Sequence, residues 1–430
     1  MQYKFSMYNH YGTLRNGSVL IYNVLSSAVA MMSPKEFSSI HKAVPLDAEA
    51  ELFSAALEMG FVVPAEEDEL SKVLALRNAN NFSDKRAGFQ ILPTTGCNAR
   101  CFYCYEQDFK PSTMTRETID STVEFILSYC ENMEEVNIAW FGGEPFTCEN
   151  YIAEISKRLT TEFDRRGTKY FANVITNGAL ISTKNIDAIV KDYRISSAQI
   201  TLDGRGDKHL ARKGFLDKSV SYHLILNNIA LLTRHNVHVM VRINVDRANL
   251  EDCLSVFDDL AALDADTDNL WPYVAPLYSD KSKPNQDCFR HDELSDVFVK
   301  VYKKMIDTGF IQTVNGLPMN FSNATCCAKM LNNFVISPEG DISKCEHLLN
   351  VPDEVIGHVS TGIVFNSAMA KWCDSSISEQ CKTCSYLPVC QAGCTAAETR
   401  GFGFGRCSYI AFVHDAVIEA ANYLLERSEE

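Results

Sequence analysis

Residues 89–105 read FQILPTTGCNARCFYCY. The first part, Phe89–Thr95, is an apolar run with the look of a β-strand. The second part carries Cys97, Cys101 and Cys104, with gaps of three and two residues. Three soft thiolates at that spacing can wrap one iron–sulfur cubane. A structural zinc site usually wants a fourth ligand, and none follows nearby. Three protein ligands leave one iron open to chelate a small molecule. Three structural thiols, or a zinc site sharing a distant ligand, are the alternatives at this point.

Outward from this segment the chain alternates between strands and helices. The strand candidates are Phe89–Thr95, Val136–Phe141, Phe171–Thr176, Ala198–Leu202, Val237–Val245 and Leu270–Leu277. Between them lie amphipathic stretches. Ile119, Val123, Ile126 and Cys130 share one helical stripe, and Leu250, Cys253, Leu254, Phe257 and Leu260 another. Such alternation implies a parallel sheet, here a partial or full α/β barrel. Function in such barrels sits at the C-terminal ends of the strands.

Before the barrel, Tyr3–Tyr8, Val19–Val24 and Phe61-Val62-Val63 look like strands among helical patterns, and Lys85-Arg86-Ala87-Gly88 reads as a linker. Ser18–Met32 is apolar, and Ala28-Val29-Ala30 mimics a cleavage site. Polar residues interrupt the stretch and its leader is not strongly basic, so it is expected to fold as a strand plus a helix. After residue 320 periodicity fades and cysteines become dense, until a closing amphipathic helix at Ile410–Leu425. The expected domains are residues 1–85, 86–310 and 311–430. With a formal net charge of −15, the protein is not expected to bind nucleic acid, whose phosphates demand a basic surface. A membrane is not expected either. Sixteen cysteines are too few for a disulfide scaffold and suggest metal or redox chemistry in a reducing cytoplasm.

The segment resembles the radical S-adenosylmethionine (SAM) superfamily, whose signature is C-x3-C-x-aromatic-C after the first barrel strand. Tyr103 fills the aromatic position. The resemblance implies a 4Fe–4S cluster that donates one electron to bound S-adenosylmethionine, giving a 5′-deoxyadenosyl radical that abstracts a substrate hydrogen. Trp140-Phe141-Gly142-Gly143-Glu144-Pro145 resembles the family's GGEP motif, implied to hold the cofactor's methionine amino group. Its glycines permit close backbone approach, and Glu144 offers an anion to an ammonium. Thr176-Asn177-Gly178 and Thr201-Leu202-Asp203-Gly204 resemble segments that approach the cofactor. The implied cofactor residues are therefore Tyr103, Gly142, Gly143, Glu144, Pro145, Asn177, Thr201, Asp203 and Arg242, with Asn244 as a weaker candidate.

A second pattern runs Cys327-x12-Gly340-x4-Cys345, then Cys381-x2-Cys384-x5-Cys390-x3-Cys394, then Cys407. It resembles the seven-cysteine SPASM domain of peptide-modifying superfamily members, with Ile336–Asp341 as its hairpin turn. A zinc ribbon is the alternative. The resemblance implies one auxiliary cluster on Cys327, Cys345 and Cys394 and another on Cys381, Cys384, Cys390 and Cys407, making three 4Fe–4S clusters in all. The first auxiliary cluster then lacks a ligand. Cys326, Cys373, a substrate thiolate or none could complete it. Cys130 and Cys253 are expected in the core, while Cys148 and Cys288 have no evident partner.

The whole is expected to be an α/β protein. It would combine a partial (β/α)6 TIM-like radical SAM barrel, a small N-terminal α+β domain resembling a winged-helix leader-binding module, and a C-terminal SPASM domain. The implied activity is maturation of a ribosomal precursor peptide carrying a leader and a cysteine-containing core. A thioether between cysteine sulfur and carbon is the expected product, with carbon–carbon cross-linking and formylglycine formation as alternatives. A reducing partner such as flavodoxin or ferredoxin is implied, in an anaerobic cytoplasm. No residue is named as the catalytic acid or base. The non-enzyme alternative is a zinc-ribbon peptide-binding protein.

Overall fold

A computed structural model describes residues 2–43, 50–279, 285–319, 326–401 and 407–429. The chain divides into two compact units, each discontinuous in sequence. One comprises residues 1–81, 289–326 and 375–430; the other comprises 82–288 and 327–374.

In the first unit, β1 (Tyr3–Phe5) pairs antiparallel with β5 (Val62–Pro64). A separate antiparallel sheet has the order β2 (Asn9–Thr13), β3 (Val19–Asn23), β4 (Val29–Met32). Helices α1 (Pro34–His41), α2 (Ala50–Glu58) and α3 (Glu69–Asn81) follow or flank β5. Val19, Ile21, Met32, Ile40, Phe53, Phe61 and Val62 form their shared core. The apolar Ser18–Met32 stretch is thus strand–turn–strand, not strand plus helix. Asn23 is the reason: its side-chain oxygen accepts the amides of Leu25 and Ser26, each at 2.9 Å, and turns the chain back. The left-handed Ser27 (φ 60°) completes that turn. The helix starts only at Pro34, where Ser33 and Glu36 form a capping box.

The second unit is built on a ten-stranded sheet. Its parallel part runs in chain order. It begins with β6 (Arg86–Ile91), α4 (Arg116–Tyr129), β7 (Glu135–Trp140), α5 (Glu149–Arg166), β8 (Lys169–Thr176) and β9 (Ile195–Leu202). Then come α6 (Gly206–Lys213), α7 (Tyr222–Arg234), β10 (His238–Val245), α8 (Leu250–Ala261) and β11 (Leu270–Pro276). Consecutive parallel strands with helical crossovers give the expected barrel arc. One set of strand side chains, including Phe89, Val136, Ile138, Val174, Ile200, Val241 and Ile243, is almost wholly buried. Cys130 and Cys253 are both buried, as their stripes required, and Cys253 Sγ donates to Asn244 O at 3.4 Å.

Two features differ from the sequence expectation. Arg86–Gly88 is the first half of β6, not a linker. A Cβ at Gly88 would lie 2.0 Å from the Asn333 side-chain oxygen, so a larger residue there would have to displace that side chain. The reason Asn333 is so close is the second feature. The strand β12 (Asn333–Ile336) pairs in parallel with β6, extending the barrel sheet. Then β13 (Asp341–Ser343), β14 (Gly357–His358) and β15 (Gly362–Ile363) continue it antiparallel. The Ile336–Asp341 turn forms as expected, with Gly340 at φ 96° and Ser337 N–H donating to Asp341 O at 2.9 Å. The closing helix runs His414–Glu429, burying Ala416, Val417, Ala420, Ala421 and Leu424. Among the described residues, no helix is long and apolar enough to cross a membrane.

Candidate active site

Cys97, Cys101 and Cys104 lie in the loop that leaves the C-terminal end of β6. The ends of the next three strands hold this loop. From β7, Gly143 N–H donates to Thr94 O at 3.2 Å and Glu144 N–H to Gly96 O at 3.0 Å. Both motif glycines are sterically required. A Cβ on Gly142 would stand 2.3 Å from Thr94 O, and one on Gly143 would stand 2.3 Å from Gly96 O. The close approach these glycines permit is made by the chain's own backbone, just before Cys97.

Glu144 is fully buried. Its carboxylate accepts the Thr176 hydroxyl at 2.8 Å, the Asn177 amide at 2.8 Å and the Phe146 amide at 3.2 Å. Burial raises its pKa, and these three hydrogen bonds oppose that rise. Glu144 thus braces the β7 turn against the end of β8. Asn177 in turn donates from its side chain to Asn98 Oδ1 at 2.7 Å, reaching the cysteine loop itself.

The end of β9 supplies the third hold. Asp203 accepts both Tyr103 Oη (2.7 and 2.9 Å) and, in an ion pair at 3.5 Å, Lys213. Lys213 also donates to Tyr103 Oη at 3.1 Å. Burial alone would lower the pKa of Lys213, but Asp203 and Tyr103 raise it well above the ordinary range. Burial pushes the neighbouring His209 down to about 3, so its neutral Nδ1 accepts the Asp203 amide at 3.1 Å. Backbone bonds reinforce this side: Arg100 N–H to Lys213 O and Leu216 N–H to Asn98 O, both at 2.9 Å. The Arg212 guanidinium lies 4.7 Å from the centre of the Phe102 ring.

The three thiols are half-buried and form no disulfide. Burial pushes Cys97 up to about 12 and Cys104 up to about 11. Thiols held this way give up their protons readily only to a metal centre that takes the sulfur. Cys97 Sγ already accepts the Ala99 amide at 3.4 Å. Three mutually interacting sulfurs on a braced loop, with a backbone donor aimed at one of them, fit a 4Fe–4S cluster. Among the described residues, no three His, Cys, Asp or Glu side chains close on one point as a single ion needs.

Thr201 and Arg242 are register partners on β9 and β10, and Arg242 pairs with Tyr273 on β11. Arg242 Nε donates to Asn244 Oδ1 at 2.9 Å, and Tyr273 donates to Gln199 at 2.8 Å. These residues make a polar wall below the β9–β11 ends. Pro145, like Glu144, is buried at the β7 turn. Sequence reasoning missed Asn98, Gln199, Lys213 and Tyr273. Asn98 lies inside the cysteine loop, Gln199 and Tyr273 in strands and Lys213 at a helix end, and only a distant partner gives each its role.

The later cysteines fall in both units. Cys381, Cys384 and Cys390 interact electrostatically within the first unit, which also holds Cys394 and the exposed Cys407. Cys327 and Cys345 belong to the second. Lys344, fully buried beside Cys345, donates to the carbonyls of Met330, Leu331 and Asn333 and lies over the Phe334 ring. It ties the Cys327–Lys329 turn to the β12–β13 hairpin. Cys373 shares the surroundings of Lys344 and Tyr129, whereas Cys345 shares those of Tyr105.

A parallel α/β barrel arc with a three-thiol loop at the end of its first strand is the architecture of a radical SAM enzyme. Residues 91–260 match the family described as the Radical SAM superfamily. The chain is 24% identical over 326 residues to the serine-type anaerobic sulfatase-maturating enzyme of Klebsiella aerogenes, covering 70% of this chain and 77% of that one. It is 23% identical over 402 residues to the radical SAM cyclopropyl synthase TigE of Paramaledivibacter caminithermalis, covering 86% and 80%. The solved structure of native anSMEcpe with bound AdoMet and Kp18Cys peptide shares the fold, with a TM-score of 0.57 and 15% identity. That match covers 80% of this chain and 97% of that one.

Proposed function

We propose that this protein is a peptide maturase whose radical chemistry begins at the Cys97, Cys101, Cys104 loop. The observation that carries the proposal is the bracing of that loop by the ends of β7, β8 and β9. With a 4Fe–4S cluster and S-adenosylmethionine bound, the site would supply a 5′-deoxyadenosyl radical for hydrogen abstraction. The three cysteines would hold the cluster. Tyr103, the Gly142–Pro145 turn, Asn177, Thr201, Asp203 and Arg242 would surround the cofactor, several of them by fixing the walls around it.

A peptide substrate is supported by the relatives. Some are sulfatase-maturating enzymes by name, and one solved neighbour is titled as bound to the Kp18Cys peptide. The seven-cysteine pattern supports two auxiliary clusters, on Cys327, Cys345, Cys394 and on Cys381, Cys384, Cys390, Cys407. The outer strand β4 offers an edge to which a leader peptide could add as a further strand. The precursor peptide is thus the principal partner, with a flavodoxin or ferredoxin as electron donor in an anaerobic cytoplasm.

Thioether formation is the proposed outcome, because the pattern supplies three ligands, Cys327, Cys345 and Cys394, to the first auxiliary cluster, and a substrate thiolate is one candidate, beside Cys326 and Cys373, to complete it. The sulfatase-maturase relatives favour a second outcome, oxidation of a cysteine or serine to formylglycine. The test is anaerobic reaction with a short cysteine-containing peptide encoded beside the gene. A product lighter by two hydrogens, with its cysteine no longer alkylated, supports the thioether. An aldehyde trapped by a hydrazide supports formylglycine and overturns the thioether. On the order of twelve irons per chain after anaerobic purification is expected, four for each cubane. Zinc without iron would overturn the whole assignment in favour of a zinc-ribbon binding protein.

A further inference from the structure

Lys213 is the last residue of α6, where a solvent-facing lysine would be ordinary. Instead its side chain is 5% exposed and that of its partner Asp203 is fully buried. The polar chain is complete: Lys213 Nζ donates to Tyr103 Oη at 3.1 Å, and Tyr103 donates to Asp203 at 2.7 Å. The backbone of the same residue is also engaged, since Lys213 O accepts Arg100 N–H at 2.9 Å. The next residue, Gly214, is left-handed, and a Cβ there would lie 3.0 Å from Arg100 O. Lys213 is therefore fastened at both ends to the loop between Cys97 and Cys104.

A buried ion pair adds little net stability, because desolvating two charges offsets most of their attraction. Stability alone is a weak reason to place a lysine there. Position offers a better one. The ammonium lies within electrostatic reach of Cys101 and Cys104, the two thiols that flank Tyr103. Charge interactions in such a dry setting are far stronger than in water. Taking up one electron makes a cluster more negative, and a fixed cation beside it favours that reduced form.

We propose that Lys213 is a positioning residue for the cluster, tethering its loop through Tyr103 and Asp203 and raising its reduction potential with a fixed positive charge. The proposal rests on the cluster assignment above. Neither the cysteine spacing nor the GGEP motif points to this residue.

The test uses the full chain, anaerobically reconstituted, in wild-type, Lys213→Met, Lys213→Arg and Tyr103→Phe forms. Iron content is measured first. The potential is then read by redox titration of the electron paramagnetic resonance signal that changes when AdoMet is added. Lys213→Met should load iron but show a lower midpoint potential, and Lys213→Arg should restore it. Tyr103→Phe keeps the charge and cuts the tether, so a chelator should strip its iron faster at nearly unchanged potential. If Lys213→Met does not fold, Lys213→Gln carries the same comparison. Equal potentials in the wild-type and neutral variants, with iron loaded in both, would overturn the proposal and leave the cluster intact. Wild-type protein that binds no iron at all would overturn the cluster assignment itself.

Discussion

The backbone of Gly143 packs so closely on Gly96 that a Cβ at position 143 would lie 2.3 Å from the Gly96 carbonyl oxygen and 2.5 Å from its carbon. Neither atom belongs to a flexible side chain, so Gly143→Ala must push the two loops apart. Overpacking of this kind costs about 1–3 kcal/mol. It would also strain the bond from Glu144 N–H to Gly96 O. The variant should melt at lower temperature and retain less iron after reconstitution. Gly316→Ala, whose nearest neighbour would be 3.7 Å away, should behave as wild type.

Glu144 has three buried donors to satisfy. Glu144→Ala leaves the Thr176 hydroxyl and two amides without an acceptor, at about 1–3 kcal/mol each. A loss of at least about 3 kcal/mol is expected in urea denaturation. Glu144→Gln keeps one accepting oxygen and should lose less. If bracing is the residue's main task, the Gln variant should bind AdoMet within a few-fold of wild type by equilibrium dialysis. A far larger loss would mean that the negative charge itself meets the cofactor.

His10, in the first unit, stacks on Tyr22 and meets the tilted Tyr386 ring at 4.1 Å, with His414 nearby. Burial, helped by His414, pushes its pKa from 6.5 down to about 4. A depressed value means that the folded state holds the neutral ring while the unfolded chain takes up the proton. The associated stability is fully present above pH 6.5 and is lost as pH falls towards 4. The span corresponds to at most about 3 kcal/mol. His10→Phe keeps an aromatic ring without the proton site. Its melting temperature should fall less than that of wild type between pH 7 and pH 5.

Lys344 satisfies three carbonyls at the base of the β12–β13 hairpin. Lys344→Met fills the space but donates nothing, so about 3 kcal/mol of stability should go. Because the same contacts tie the Cys327 turn to the hairpin before Cys345, iron content should fall together with stability. Unchanged iron and unchanged melting would show that the hairpin holds without this residue.

The strands of the barrel and the cysteine loop were legible in the amino-acid sequence because each is encoded locally. Runs of Val, Ile and aromatics mark β6 to β11, and gaps of three and two residues mark the thiols. Ser18–Met32 was half legible: its apolar character was plain, but the Asn23 turn that makes it a hairpin was not. The pairing of β12 with β6, and hence the close approach of Asn333 to Gly88, was hidden, because parallel partners so far apart leave no local pattern. The same holds for the joining of Asn98 to Asn177 and of Lys213 to Asp203 and Tyr103. Sequence by itself therefore determined which elements form and which side chains can carry the chemistry. Tertiary structure alone decided which polar groups meet, because a buried hydrogen bond between residues up to about a hundred positions apart exists only once the strand ends have been brought together.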